Sequence, residues 1–492
     1  MLKKVIASSL VAGMMLGTVA SAKNSHDNGK HSNKFNYLNK SANNYEQNTH
    51  GVISPKYAAK LITNWEENKP AGKRNLFVMQ VGNIYGFSGT HDQIVGMDSN
   101  GALFQPFNNG YIKSNHEAGV YVFDRTAGCT SATPEDTRGD GVSGVPKPVF
   151  TLQEMDEAFM TYGIDAKQDV IMLVLGSPEI KLKEDGSTTF SGGYIAGTAR
   201  MWYTLSYWGF PQDSIMFLNG QASNVLNPEV NPEIAAMGIT RDEIFTENQS
   251  QLQTLPMQKE WRSVSEVRRD GTYLQATMGD MMEIVNNSYA KDLILDARSE
   301  GEYLGTKAAK TEYKTCGEDG KSQCYTAFNG HISGANNLAH KTMVNYKDEL
   351  EDINSDGTID YRDATISFKS VDELKGIFAE AGYSPENTVY TYCRTGTKAS
   401  LLTYASAAIL GYKTRMYDGS WIQWGKMTNE VNVNGEMVYN PWSTEGYTES
   451  FTPEEDALKI SPINLDYLNL DAENTNDMIE EDQQAKLNAQ QN

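Results

Sequence analysis

Cysteine is scarce, at four residues in 492. That excludes a disulfide-dense scaffold, and no CxxC pair exists to hold a zinc ribbon. Positive charge is also short: 42 Lys and Arg stand against 63 Asp and Glu, a net charge of -21. Phosphate backbones and anionic membrane surfaces call for a basic face, so nucleic acid is not an expected partner. Beyond the first twenty or so residues no apolar run is long enough to span a bilayer, which argues against a transporter. What remains is a globular balance, 39% hydrophobic and 21% charged. A chain of this length suggests roughly two to four domains.

The N-terminus reads as a secretory signal peptide over residues 1–22. Lys3 and Lys4 precede an apolar run from Val5 to Val19, and Ala20-Ser21-Ala22 supplies small residues for cleavage. The run holds no cysteine, so a lipid anchor is not indicated. The expected location is therefore exported, periplasmic or secreted. Residues 23–50 form a polar linker in which His26, His31 and His50 fit no metal-ligand spacing. Residues 446–492 form an acidic, Gln/Asn-rich C-terminal tail.

Between these ends the chain repeats itself. Phe159, Gly163 and Val170 recur as Phe378, Gly382 and Val389, each pair 219 positions apart. Each copy reads as an amphipathic helix, a glycine stop, a short turn and an apolar buried strand, followed by a second helix and another strand. Strands alternating with helices imply α/β units with parallel sheets, placed at 51–250 and 262–445. The copies differ at one point that matters. Val174 stands where the second copy has Cys393, and some seventeen extra residues follow it, within about Leu175 to Ala196. The chemistry of that cysteine is expected to lie wholly in the second copy.

Cys393 leaves the strand TVYTY and enters CRTGTKAS, whose helix begins near Ala399. Ligands of open α/β sheets bind beyond the C-terminal ends of strands. A loop folding around this sulfur would aim backbone N–H groups at it, beside a helix N-terminus and the charges of Arg394 and Lys398. Each of these favours thiolate, hence a nucleophile. Gly396 removes a Cβ where the loop must turn tightly. A buried, inert cysteine would sit within the strand, not at its mouth.

The loop CRTGTKAS resembles the active-site loop of rhodaneses, sulfurtransferases that carry sulfur as a cysteine persulfide. LILDARSEGEYLG, GHISGANNL and YDGSWIQW resemble that family's further segments. The arrangement as a whole is similar to the two-domain thiosulfate sulfurtransferases, with an inactive first domain and an active second one. The resemblance implies a fold of two tandem rhodanese-like domains, each a parallel sheet flanked by helices. It implies that Cys393 accepts sulfur and that Arg394, Thr395, Gly396, Thr397, Lys398, Arg298 and Trp421 line the substrate site. Asp296 and Asp418 become structural supports, Asp296 paired with Arg298. Where some thiosulfate-using members carry a second arginine, this chain has Glu302. Where mercaptopyruvate-using relatives have glycine after the cysteine, it has Arg394. Both departures disfavour those donors. A Cys-x5-Arg phosphatase is excluded because Ala399 stands where its arginine belongs.

Residues 352–363, DINSDGTIDYRD, follow the twelve-residue calcium loop. Asp352, Asn354, Asp356, Thr358, Asp360 and Asp363 supply oxygens at positions 1, 3, 5, 7, 9 and 12, with Gly357 at 6. Position 12 is Asp, one methylene shorter than the usual Glu. Structural calcium is thus the expected cofactor, with no organic one. Cys316 and Cys324 are close enough for a disulfide staple in an oxidising compartment, with a redox pair as the alternative. Cys129 is left over. The expected partners are a small sulfur-containing anion as donor, a thiophilic acceptor, and a periplasmic redox or sulfur-accepting protein. The rival reading is a sulfur or selenium carrier without turnover.

Overall fold

The computed structural model describes residues 45, 51–81, 112, 114–125, 137–146, 148–175, 179–182, 188–191, 195–225, 260–287, 291–306, 329–346, 366–425, 427–446, 461–462 and 476–491. The expected signal peptide, the linker apart from Tyr45, Cys129, Cys316, Cys324 and the calcium loop 352–363 lie outside the described residues.

The first half contributes β1 (Val52–Ile53), α1 (Pro55–Thr63), β2 (Leu76–Val81), β3 (Val120–Arg125), α2 (Leu152–Tyr162), β4 (Val170–Leu175), β5 (Glu179–Leu182), β6 (Thr188–Ser191), α3 (Ile195–Tyr207) and β7 (Ile215–Gln221). Five of these strands form a parallel sheet in the order β1-β7-β4-β2-β3. The second half contributes β8 (Gln275–Ala276), α4 (Met278–Asn286), β9 (Leu293–Asp296), α5 (Glu300–Tyr303), β10 (Asn336–Asn337), α6 (Val371–Glu380), β11 (Val389–Tyr392), α7 (Thr397–Thr403), β12 (Thr414–Tyr417) and α8 (Ser420–Trp424). Its sheet, also parallel, runs β8-β12-β11-β9-β10. Numbered within its own half, each sheet reads first, fifth, fourth, second, third. The two copies therefore share a topology as well as a sequence offset.

Local chemistry explains the shared pattern. Thr151 and Glu154 close a capping box at the start of α2, and Gly163 ends it at φ 68°. Ser370 and Glu373 do the same for α6, and Gly382 follows at φ 98°. Next come β4, six buried residues, and β11, four buried residues, starting at the matched Val170 and Val389. Continuous apolar runs of this kind belong to central parallel strands covered on both faces. The extra residues of the first copy fold in part as an antiparallel hairpin, β5 with β6.

The helices α3 and α7 pack against each other, and α7 continues as a π-helical segment, Tyr404–Ile409. One apolar core fills the space between the two sheets. Tyr404 is its hub: its ring lies 5.0 Å from Trp202, 4.7 Å from Phe217 and 5.3 Å from Phe368. Separate clusters cover the outer faces, around Leu61 and Trp65 on one side and Met278, Met281 and Trp424 on the other. Both sheets belong to a single compact unit, Ser32–Asn492.

The chain end also docks. Helix α9 (Met478–Gln491) places Asp482 in a bidentate pair with Arg138, at 2.8 and 2.9 Å. Tyr207 donates to the same carboxylate at 2.7 Å, and Lys486 donates to the carbonyls of Trp208 and Arg269. Among the described residues no helix is long and apolar enough to cross a membrane.

Candidate active site

Strand β11 lies between β9 and β12, where the strand order reverses. The chain leaves β9 towards one edge and β11 towards the other, which is the place where open α/β sheets form a ligand crevice beyond the strand ends. Asp296, Ala297 and Arg298 leave β9 there, and Cys393 leaves β11, with the Ala297 N–H donating to the Tyr392 carbonyl. The predicted nucleophile sits at the predicted place. Its side chain is 1% exposed.

The Cys393 loop is held by the segment after β12. Ser420 Oγ accepts from the N–H groups of Cys393 (3.3 Å) and Gly396 (3.1 Å) and donates to the Tyr417 carbonyl (2.9 Å). The N–H groups of Trp421 and Ile422 then donate to the carbonyls of Cys393 and Arg394, both at 3.0 Å. Ser420 achieves this from the left-handed region, φ 52°, a conformation that costs a non-glycine residue about 1 kcal/mol or more. Gly396 turns at φ 78°, and a Cβ there would collide with Asp418 Oδ1 and Arg200 Nη1. Only glycine fits.

That collision reveals a residue the sequence reading did not include. Arg200, on α3 of the first half, forms a bidentate pair with Asp418 at 2.6 and 2.9 Å, both side chains fully buried. Asp418, expected as a support, takes its partner from the other copy. The one local signal was a lone arginine in the otherwise apolar helix stretch ARMWYTLSYW. The first half therefore contributes directly to the wall behind the Cys393 loop.

Asp296 and Arg298 form the expected pair, with Arg298 Nη2 at 2.6 Å from Asp296 Oδ2 and also donating to the Gly330 carbonyl. The Arg298 guanidinium lies 4.5 Å from the Trp421 ring centre. Trp421 is fully buried, so it supports Arg298 and does not form an open wall of the crevice. Arg298 Nη1 is buried without a hydrogen-bond partner among the described residues. Both Arg298 and Arg200 lie within electrostatic range of the Cys393 sulfur. At the rim, Thr395, Thr397 and Lys398 are partly exposed. Arg394 pairs with Glu302, and Lys398 Nζ lies 3.7 Å from the same carboxylate. His340, also absent from the sequence reading, has Nδ1 3.3 Å from the Ala297 carbonyl. Burial and then repulsion from Lys398 push its imidazole down to about 4, so it is neutral at neutral pH.

A cysteine at a sheet switch point, in a loop stitched to the turn after the next strand, coincides with a family match. Residues 279–427 match the family model of a rhodanese-like domain. The chain is 31% identical to a Haloferax volcanii protein named "Putative thiosulfate sulfurtransferase" over 135 residues, 27% of this chain and 38% of that one. It is 28% identical to the sulfur carrier protein TtuD of Thermus thermophilus over 165 residues, 33% of this chain and 49% of that one. The chain thus matches less than half the length of either relative. Among solved structures it is similar to the anaerobic ergothioneine biosynthesis enzyme of Chlorobium limicola in complex with trimethyl histidine. That likeness has a TM-score of 0.45 and 18% identity, and covers 76% of this chain and 68% of that one.

Proposed function

We propose that this protein is a sulfurtransferase that moves sulfane sulfur through a persulfide on Cys393. The observation that carries the reading is the cysteine itself, held at the switch point by Ser420 and flanked by Arg298 and Arg200. In the first step the Cys393 thiolate attacks the outer sulfur of a donor. A new S–S bond forms, the donor's S–S bond breaks, and its electron pair leaves with the departing sulfite, sulfinate or thiolate. In the second step a thiophilic acceptor such as cyanide, sulfite or a thiol takes the outer sulfur, and the pair returns to Cys393. No net redox occurs. The unpartnered Arg298 Nη1 is a buried cationic donor suited to negative charge on the persulfide.

A sulfur carrier delivering to a docked protein is the second reading, favoured by the 1% exposure of Cys393. The two differ in turnover with small acceptors. Incubation with a sulfane donor should add one sulfur's mass to the Cys393 peptide, and Cys393→Ser should abolish both that adduct and thiocyanate formation from cyanide. Full activity in the serine variant would end the mechanism. On ligand spacing alone, residues 352–363 are further proposed as a structural calcium site, and the chain as an exported protein. Chelator should then lower the melting temperature, and Asp352→Ala with Asp356→Ala should remove that sensitivity.

A further inference from the structure

A short hairpin of the first half, Thr137–Gly139 paired with Gly144–Pro146, reaches the segment that holds the Cys393 loop. Asp140 opens its turn. One carboxylate oxygen, Oδ1, accepts from the N–H groups of Val142 and Ser143, both at 3.1 Å, and so closes the turn. The other, Oδ2, faces the second half and accepts from the Met278 N–H at 2.9 Å and from Gln423 Nε2, on α8, at 3.1 Å. Gln423 Nε2 also donates to Ser143 Oγ at 2.8 Å, and its Oε1 accepts from the Tyr417 hydroxyl at 2.7 Å. Asp140, Ser143, Gln423 and Tyr417 are all buried. Val142 joins the apolar cluster of Met278, Trp421 and Trp424.

This network brackets Ser420. Tyr417 accepts from Ser420 Oγ through its carbonyl and reaches Gln423 through its hydroxyl, so Ser420 stands between two anchored residues. Gly419 lets Gln423 fold back, because a Cβ there would strike Gln423 Oε1. Ser420 needs such bracing: its left-handed backbone persists only where the surroundings over-determine it. Buried polar networks whose members are satisfied rigidify what they enclose. We infer that Asp140 and Gln423 are positioning residues for the nucleophile: the first-half hairpin, through Gln423, fixes the turn whose Ser420 Oγ holds the Cys393 and Gly396 N–H groups. The inference rests on the transfer reading above and adds the residues that aim the sulfur. Both act through Ser420 and not on the sulfur itself. The hairpin lies outside residues 279–427, so this brace comes from beyond the matched stretch.

The test is a single turnover of the full chain with inorganic polysulfide as donor. The Cys393 thiolate takes the terminal sulfur, and the polysulfide, one sulfur shorter, leaves with the electron pair. Mass spectrometry follows the Cys393 adduct against time, which separates its amplitude, set by the fraction of folded protein, from its rate constant. Gln423→Met removes the link at similar side-chain length. Asp140→Asn is the gentler second variant: Oδ1 still closes the hairpin turn, while the amide nitrogen in place of Oδ2 cannot accept from Gln423. Both variants should take sulfur with a rate constant lower by roughly ten- to a hundredfold, the upper figure being the cost of a displacement of about 1 Å. A purely structural role would lower the amplitude and leave the rate constant alone. A wild-type rate constant in either folded variant would overturn the inference and leave the transfer reading standing. If the wild type itself gains no sulfur on Cys393, the transfer reading falls and this inference with it.

Discussion

His340 sits where one proton alters stability. Its neutral ring faces Lys398 electrostatically and bonds back to Ala297, and its pKa falls from the ordinary 6.5 to about 4. Between those values the unfolded chain binds a proton that the folded protein refuses. Stability from this residue is therefore fully present above about pH 6.5 and declines as pH falls towards 4, by up to about 3 kcal/mol. Urea unfolding of the wild type and His340→Gln across pH 4–7 should show a difference that closes as pH falls. A constant difference would mean that the ring titrates normally. Nothing in the sequence around AHKTM announces this, because the depression comes from burial beside a lysine 58 positions away.

At the scale of elements, the contact between α3 and α7 is what makes two copies into one site. Arg200 and Asp418 are both fully buried, and removing one partner leaves the other as an uncompensated charge. Arg200→Met should cost about 3–5 kcal/mol in unfolding free energy. Adding Asp418→Asn should recover much of it, because no lone charge is then left buried. Persulfide formation on Cys393 should be slow in folded Arg200→Met protein, since Gly396 turns directly over that pair. Unchanged unfolding and unchanged rates would reduce Arg200 to packing. The elements themselves were legible: amphipathic helices, glycine stops and buried strands repeat at a fixed offset, and each is encoded within a few residues. The ion pair was not. Arg200 and Asp418 lie 218 positions apart, and a bond across that separation leaves no local pattern in either stretch. Ser420 was half legible, since its segment YDGSW belonged to the resemblance. Its left-handed backbone and its three hydrogen bonds follow only from how that turn meets the Cys393 loop.

At the scale of the whole molecule, the acidic chain end contributes more than charge. Asp482 is buried, which pushes its carboxyl up, while Arg138 and Tyr207 oppose that shift through their bonds to it. Asp482→Asn should weaken the first half by roughly 2 kcal/mol, since Arg138 would lose its bidentate counter-charge, keeping only Glu481 at 3.7 Å and slight solvent contact. Thermal unfolding of the variant checks this, and a change of less than a degree in melting temperature would argue that α9 is a passive cover. In the sequence this stretch reads as a tail because it is acidic and rich in Gln and Asn. What seats it is a set of polar bonds to distant carbonyls and to Arg138.

The seat of α9 also orders events in time. Arg138 is translated 344 residues before Asp482. At roughly 5–20 residues per second, that is a wait of about 20–70 s. During that interval the first sheet can form, but Arg138 lacks Asp482 and Glu481, Tyr207 lacks the Asp482 carboxylate, and the Trp208 carbonyl lacks Lys486. The first half is thus completed by a helix whose Asp482 is made 344 residues after Arg138, and a chain cut short before Met478 would leave Arg138, Tyr207 and the Trp208 carbonyl without these bonds.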